Sequence, residues 1–264
     1  MTSHLKRVGI IGAGKIGGSL VAQLSAVGGF DLIASDVYEE RLRSLAEAYG
    51  VKTTRWNRET AEASEVLVIA VKPWDLAKVL EEVSPFVEGK AMVSVAAGVE
   101  ISEIAEKLPP EMAVLRVMPN VCAAVGLGTA VVAANEPGEA YLPAVTEVFR
   151  RLGDVIELPE WLFDAATALH GSGPAYVALF ADALVRAGVR EGIPGDIAQR
   201  LVNGTIAGTA GLLKEKAAHQ IRDEVTTPGG TTAAALGAME KAGFVAAVYD
   251  GVEAAAERAR RLAR

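Results

Sequence analysis

A chain of 264 residues, 51% apolar and 22% charged, can bury a substantial core and is too hydrophobic to be disordered. Its formal net charge of -7, without any Lys/Arg cluster, argues against a nucleic-acid or anionic-membrane partner. Cys122 is the single cysteine, which excludes an internal disulfide and a Cys-rich metal site, and no apolar run reaches the roughly 20 residues of a bilayer span, so a cytoplasmic protein is expected.

Through about residue 155, short β-rich apolar runs alternate with amphipathic helical patterns, which predicts a parallel α/β sheet. Residues 8–11 read as the first buried strand and 15–27 as the helix after it. Between them Gly12-Ala13-Gly14-Lys15-Ile16-Gly17 spells G-x-G-x-x-G. Gly12 suits a tight turn, Gly14 lets backbone approach a diphosphate, and Gly17 allows close helix–strand packing. A helix start also offers unpaired N–H groups to an anion. Residues 31–35 form a second predicted strand, followed by Asp36, where an acidic residue would accept hydrogen bonds from adenosine ribose hydroxyls and repel a 2′-phosphate. This favours NADH, with NADPH possible; the competing reading makes Asp36 a turn residue or the N-cap of the helix predicted over 39–49.

The all-apolar run 66–71 is the strongest strand signal, and 91–95, 113–117, 129–133 and a weaker 154–158 follow. Beyond Pro159 the pattern turns to Ala-rich helices, predicted over 162–169, 175–189, 195–213, 231–241 and from 243 onward. Several are apolar around much of their circumference, more than a small bundle can bury, so a second copy is expected to cover them. The expected architecture is an N-terminal Rossmann doubly wound parallel sheet, 1–159, followed by an all-helical dimerisation domain, 160–264.

With these residues placed, the chain resembles the pyrroline-5-carboxylate reductases along essentially its whole length. The matching blocks are Gly12 to Gly17, Ala70-Val71-Lys72-Pro73, Ala96-Ala97-Gly98-Val99, Met118-Pro119-Asn120, Gly171-Ser172-Gly173-Pro174-Ala175-Tyr176 and Val225-Thr226-Thr227-Pro228-Gly229-Gly230-Thr231-Thr232. The resemblance implies hydride transfer from NAD(P)H to the C=N bond of 1-pyrroline-5-carboxylate, giving proline, in a homodimer or larger ring of dimers. It implies that Ile11, Gly12, Ala13, Gly14, Lys15, Ile16 and Ala70, Val71, Lys72, Pro73 line the dinucleotide, with Asn57 near the adenosine ribose and Ala97 and Gly98 near the nicotinamide. Gly229, Gly230, Thr231 and Thr232 would hold the carboxylate of a small cyclic imino acid, Thr227 assisting and Thr232 bonding the ring nitrogen. Read without the resemblance, that glycine-threonine stretch opening a helix suits an anion, or is an ordinary helix cap. Glu215 is expected on the preceding helix at the edge of the site, or as a solvated carboxylate in Lys214-Glu215-Lys216.

Four positions depart from the family pattern: His170 stands where Ser is usual, Val121-Cys122 where Thr-Pro follows M-P-N, Thr227 where Ser is frequent, and Asp36 where many members carry a small hydroxyl. His170 would touch substrate and donate a proton, or bond a neighbouring backbone. His4, His170 and His219 lack the paired carboxylates of a metal site, and no metal is expected. Reduction of another cyclic imine, β-hydroxyacid dehydrogenation and a dinucleotide sensor without turnover stand as alternatives.

Overall fold

The computed structural model describes residues 6–262; His4 and the ends of the two expected domains lie outside them. In chain order the elements are β1 (Arg7–Ile11), α1 (Lys15–Val27), β2 (Asp31–Ser35), α2 (Glu39–Tyr49), β3 (Lys52–Thr54), α3 (Asn57–Ala63), β4 (Val66–Ile69), α4 (Pro73–Val83), β5 (Ala91–Ser94) and α5 (Ile101–Ala105). β6 (Ala113–Pro119), β7 (Gly128–Ala134), α6 (Leu142–Arg150), β8 (Gly153–Glu157) and the single-turn α7 (Phe163–Ala166) follow. Helices α8 (Gly173–Arg190), α9 (Gly195–Leu212), α10 (Ala218–Val225), α11 (Thr231–Lys241) and α12 (Phe244–Leu262) complete them.

The strands form one eight-stranded sheet in the order β3-β2-β1-β4-β5-β6-β7-β8. Successive side chains of a strand face opposite sides of a sheet, and the central strands bury both. Val8 and Ile10 of β1 and Val66 and Val68 of β4 join a core with Leu20 and Leu24 of α1. Ile11, Leu67 and Ile69 point the other way, toward Leu76 and Leu80 of α4. Helices on both faces make the sheet doubly wound.

The sheet is parallel with one reversal. The first six strands pair in parallel, but β7 runs antiparallel to β6, and β8 follows β7 in parallel. The link 120–127 holds only a 3₁₀ segment, Val121–Val125, and is too short for the dozen or more residues of a parallel crossover. The chain must therefore turn back on itself.

The chain up to Ser172, with the segment from Ala256 onward, forms one compact unit, and Gly173–Ala255 forms a second. The change of composition at Pro159 and this boundary differ because Phe163 of α7 is fully buried in the core of the first unit, with Ala166 packed against it. In the second unit Ala198 of α9 is buried, and Phe180 of α8 meets Phe244 of α12 with ring centroids 5.9 Å apart. Most other apolar side chains there stand open, Leu179 at 71% and Tyr249 at 71% exposure among them. No helix among the described residues is long and apolar enough to cross a membrane.

Candidate active site

β1 delivers the chain to the glycine turn at the carboxyl edge of the sheet. The Gly12 N–H donates to Ser35 O at 2.8 Å, and Gly12 sits at φ +99, where a Cβ would lie 2.7 Å from Ala70 O. Gly17 lies so close to the turn that a Cβ there would stand 1.9 Å from Gly12 O. Gly14 is different: a Cβ on it would meet nothing within 4 Å. It is the N-cap of α1, no side chain caps that helix, and no acid occupies its first turn. Crowding on the protein side and open space on the other leave the first amides of α1 facing outward, which fits a dinucleotide diphosphate.

The other expected dinucleotide residues gather at the same edge. Val71 and Lys72 follow β4, with Lys72 exposed at the N-cap of α4 and Pro73 at its first position. Ala97 is exposed and Gly98 half-buried in the turn after β5. β1 lies between β2 and β4, where the strand order reverses direction, and such switch points bind ligands in open α/β sheets.

Asp36 is buried, at 7% exposure. Its Oδ2 accepts from the Ala13 N–H at 2.7 Å, its Oδ1 from the Tyr38 N–H at 2.8 Å, and the Arg41 Nη1 lies 3.4 Å from Oδ2. The carboxylate braces the glycine turn and the start of α2. Asn57 opens α3 and links neighbours: its Oδ1 accepts from the Ser35 hydroxyl and its Nδ2 donates to Glu82, each at 2.8 Å.

The blocks Met118-Pro119-Asn120 and His170-Gly171-Ser172 also meet. The Asn120 amide donates to His170 O at 3.1 Å, and its Oδ1 accepts from the N–H groups of Cys122 and Thr129. His170 lies in a π-helical turn, Thr167–Gly171; its Nδ1 faces Ala166 O at 2.5 Å and its Nε2 faces Met118 O at 2.8 Å. Each ring nitrogen lies within hydrogen-bond distance of a main-chain carbonyl, one on its own segment and one at the end of β6, so the ring ties the turn to that strand.

Sequence reasoning passed over Arg116, although an arginine inside the apolar run of β6 is itself a signal. It is buried at 5% exposure, its Nη1 pairs with Glu160 Oε1 at 3.0 Å, and its guanidinium lies 4.8 Å from the Phe163 ring centroid. The same Glu160 oxygen accepts from the Ile101 N–H at 2.8 Å. Three segments of the first unit are thereby tied together.

Within the second unit, Gly229 takes φ +69 and the Gly230 N–H donates to Thr227 O at 3.0 Å. A Cβ on Gly230 would stand 2.3 Å from Thr227 Oγ1, so a side chain there would displace that hydroxyl. Gly230 is the N-cap of α11, again with no capping side chain, and Thr231 and Thr232 are its first two residues. The loop repeats the chemistry of the glycine turn: an uncapped helix start with hydroxyls beside it. Glu215 does not sit on a helix leading into this loop. It is exposed in the turn after α9, and α10 intervenes. Among the described residues no three His, Cys, Asp or Glu side chains group as metal ligands would.

Residues 160–262 match the family described as pyrroline-5-carboxylate reductase dimerisation, and residues 7–98 match the coenzyme F420-dependent NADP oxidoreductases. A pyrroline-5-carboxylate reductase of Synechocystis sp. is 40% identical over 98% of each chain. Pyrroline-5-carboxylate reductase 3 of Macaca fascicularis is 37% identical over 99% of this chain and 98% of its own. The solved pyrroline-5-carboxylate reductase of Coxiella burnetii superposes with a TM-score of 0.93 at 30% identity, over 99% of this chain and 100% of that one. The pyrroline carboxylate reductase of Plasmodium falciparum, solved with NADP bound, gives 0.84 at 29% identity over 98% of each.

Proposed function

This chain belongs to the pyrroline-5-carboxylate reductase family, and on that premise we propose that it reduces the C=N bond of 1-pyrroline-5-carboxylate to give proline. The carrying observation is the glycine turn, crowded against the protein at Gly12 and Gly17 and open at Gly14. A bound nicotinamide dinucleotide supplies the hydride. The first amides of α1 hold its diphosphate, Ala70 to Pro73 and Ala97-Gly98 border the nicotinamide half, and Asp36 and Asn57 serve the adenosine end.

In the second unit, the α11 amides from Gly230 onward, with Thr227, bind the substrate carboxylate. The Thr232 hydroxyl bonds the ring nitrogen, and Glu215 adds negative charge that favours its protonated, iminium form. An iminium is already a good hydride acceptor: the carbon gains hydride, C=N becomes C–N, and nitrogen keeps its proton. The residues need therefore supply mainly position and electrostatics. His170 acts by holding the π-helical turn.

Functionally the chain divides into a dinucleotide domain, 1–159, and a helical dimerisation domain, 160–264; the family match beginning at residue 160 supports this. The bare apolar faces of α8, α9 and α12 suit burial against a second copy, in a dimer or ring of dimers, in the cytoplasm. NADH is preferred and NADPH accepted, a reading supported by the acidic Asp36 directly after β2, since a carboxylate there repels a 2′-phosphate. The test is coenzyme oxidation with five- and six-membered cyclic imino acids, run with NADH and NADPH. Turnover fastest with the five-membered ring and NADH is expected; no turnover with any cyclic imine refutes the assignment.

A further inference from the structure

The adenosine end carries a basic residue five positions beyond Asp36. The first turn of α2 brings Arg41 back to it. Arg41 Nη1 lies 3.4 Å from Asp36 Oδ2, and its guanidinium carbon stands 4.4 Å over the centroid of the Tyr38 ring. Tyr38 is 60% exposed and the Arg41 side chain 49%, so the stacked pair faces solvent beside the phosphate turn. Asp36 has three partners here: the Ala13 amide that shapes the turn, the Tyr38 amide, and the Arg41 charge.

Resting on the coenzyme reading above, we propose that Arg41 is the residue that admits NADPH, by binding the adenosine 2′-phosphate. Three features fit. A guanidinium has five N–H donors in a planar fork, and the contact with Asp36 uses one nitrogen at a long distance, leaving Nη2 and Nε for a phosphate. The Tyr38 ring holds the plane of that fork, which lowers the ordering cost of a bidentate contact. The ion pair also offsets the Asp36 charge that would repel the phosphate. The two coenzymes thus use opposite members of one pair, ribose hydroxyls the carboxylate and phosphate the guanidinium. The acids Glu39 and Glu40 in the same helical turn limit the gain.

Calorimetric titration with NADP⁺ and NAD⁺ tests this without turnover. In Arg41→Met, which keeps the stem over Tyr38, the Kd for NADP⁺ rises about tenfold or more and that for NAD⁺ by less than about threefold, as expected for loss of a charge-assisted contact. Arg41→Lys falls between, and raising the salt narrows the wild-type difference between variants. A thermal melt establishes that each variant is folded. Equal losses for both coenzymes, or an NADP⁺ affinity unmoved by Arg41→Met, overturn the proposal. Wild-type protein that binds neither coenzyme instead refutes the coenzyme reading on which it rests.

Discussion

Gly14→Ala and Gly17→Ala add the same methyl group three residues apart, and the structure separates their effects. At Gly17 the new Cβ would stand 1.9 Å from Gly12 O and 3.2 Å from Ile10 Cγ2, about 1 Å nearer to the oxygen than any Cβ settles. The obstacle is backbone, so α1 must move off the turn. Overpacking of this kind costs about 1–3 kcal/mol, and a shift against main chain belongs at the upper end. At Gly14 the Cβ meets nothing within 4 Å and the backbone is already extended at φ -74, so the fold should lose under about 1 kcal/mol. The methyl instead occupies the space in which a diphosphate must meet the first amides of α1. Losing one or two charge-assisted hydrogen bonds there weakens coenzyme binding about 10- to 100-fold. Denaturant unfolding and calorimetric titration of the coenzyme, run on both variants, read the two effects independently. A Gly14→Ala protein that is stable and binds coenzyme as wild type does would show that the diphosphate is held elsewhere.

Three further outcomes are expected. His170→Ser loses both ring contacts and about 1–3 kcal/mol of stability, while imine reduction persists; abolished turnover at an unshifted Tm would restore a proton-donor role. Arg116→Met leaves the Glu160 carboxylate unpaired and costs roughly 2–4 kcal/mol, and adding Glu160→Gln recovers part of it; a double-mutant cycle without coupling would refute the tie. The Arg7 amide foremost, aided by the Lys6 amide and the charges of Arg7 and Lys90 and opposed by partial burial, holds the Glu65 carboxyl below its ordinary 4.5. A lowered folded-state pKa gives stability that is present above 4.5 and lost as pH falls below it, so the Tm gap between wild type and Glu65→Gln should close on acidification. A gap that stays constant down to pH 3 would contradict this, about one and a half units below that value.

Much of the fold was legible because its signals were local. The run 66–71 announced β4, and the glycine spacing announced the turn at the end of β1. β3 escaped, being three residues long and only half-buried at the sheet edge, with no apolar alternation to betray it. The reversal at β7 escaped because strand direction depends on the length of a link, and apolar periodicity carries no sign of it. Among the site residues, Gly12, Gly14 and Gly17 could be assigned separate tasks from the pattern alone. The partners of Asp36 and His170 could not: Ala13 and Met118 lie far off in sequence and offer main-chain atoms, which any residue would provide. Glu215 was misplaced because the short, polar α10 between α9 and the loop left no helical signal that the sequence reading registered.

The seating of α7 has a practical consequence for dissecting the chain. A fragment ended where the composition changes, at Pro159, would strip Glu160 and Phe163 from Arg116, leaving a bare cation and a greasy hollow on the exposed side of β6. Such a piece should be sticky and short-lived in solution. Carrying the cut to Ser172 takes the plug along with the sheet it seals, and parts the first unit only from its segment beyond Ala255.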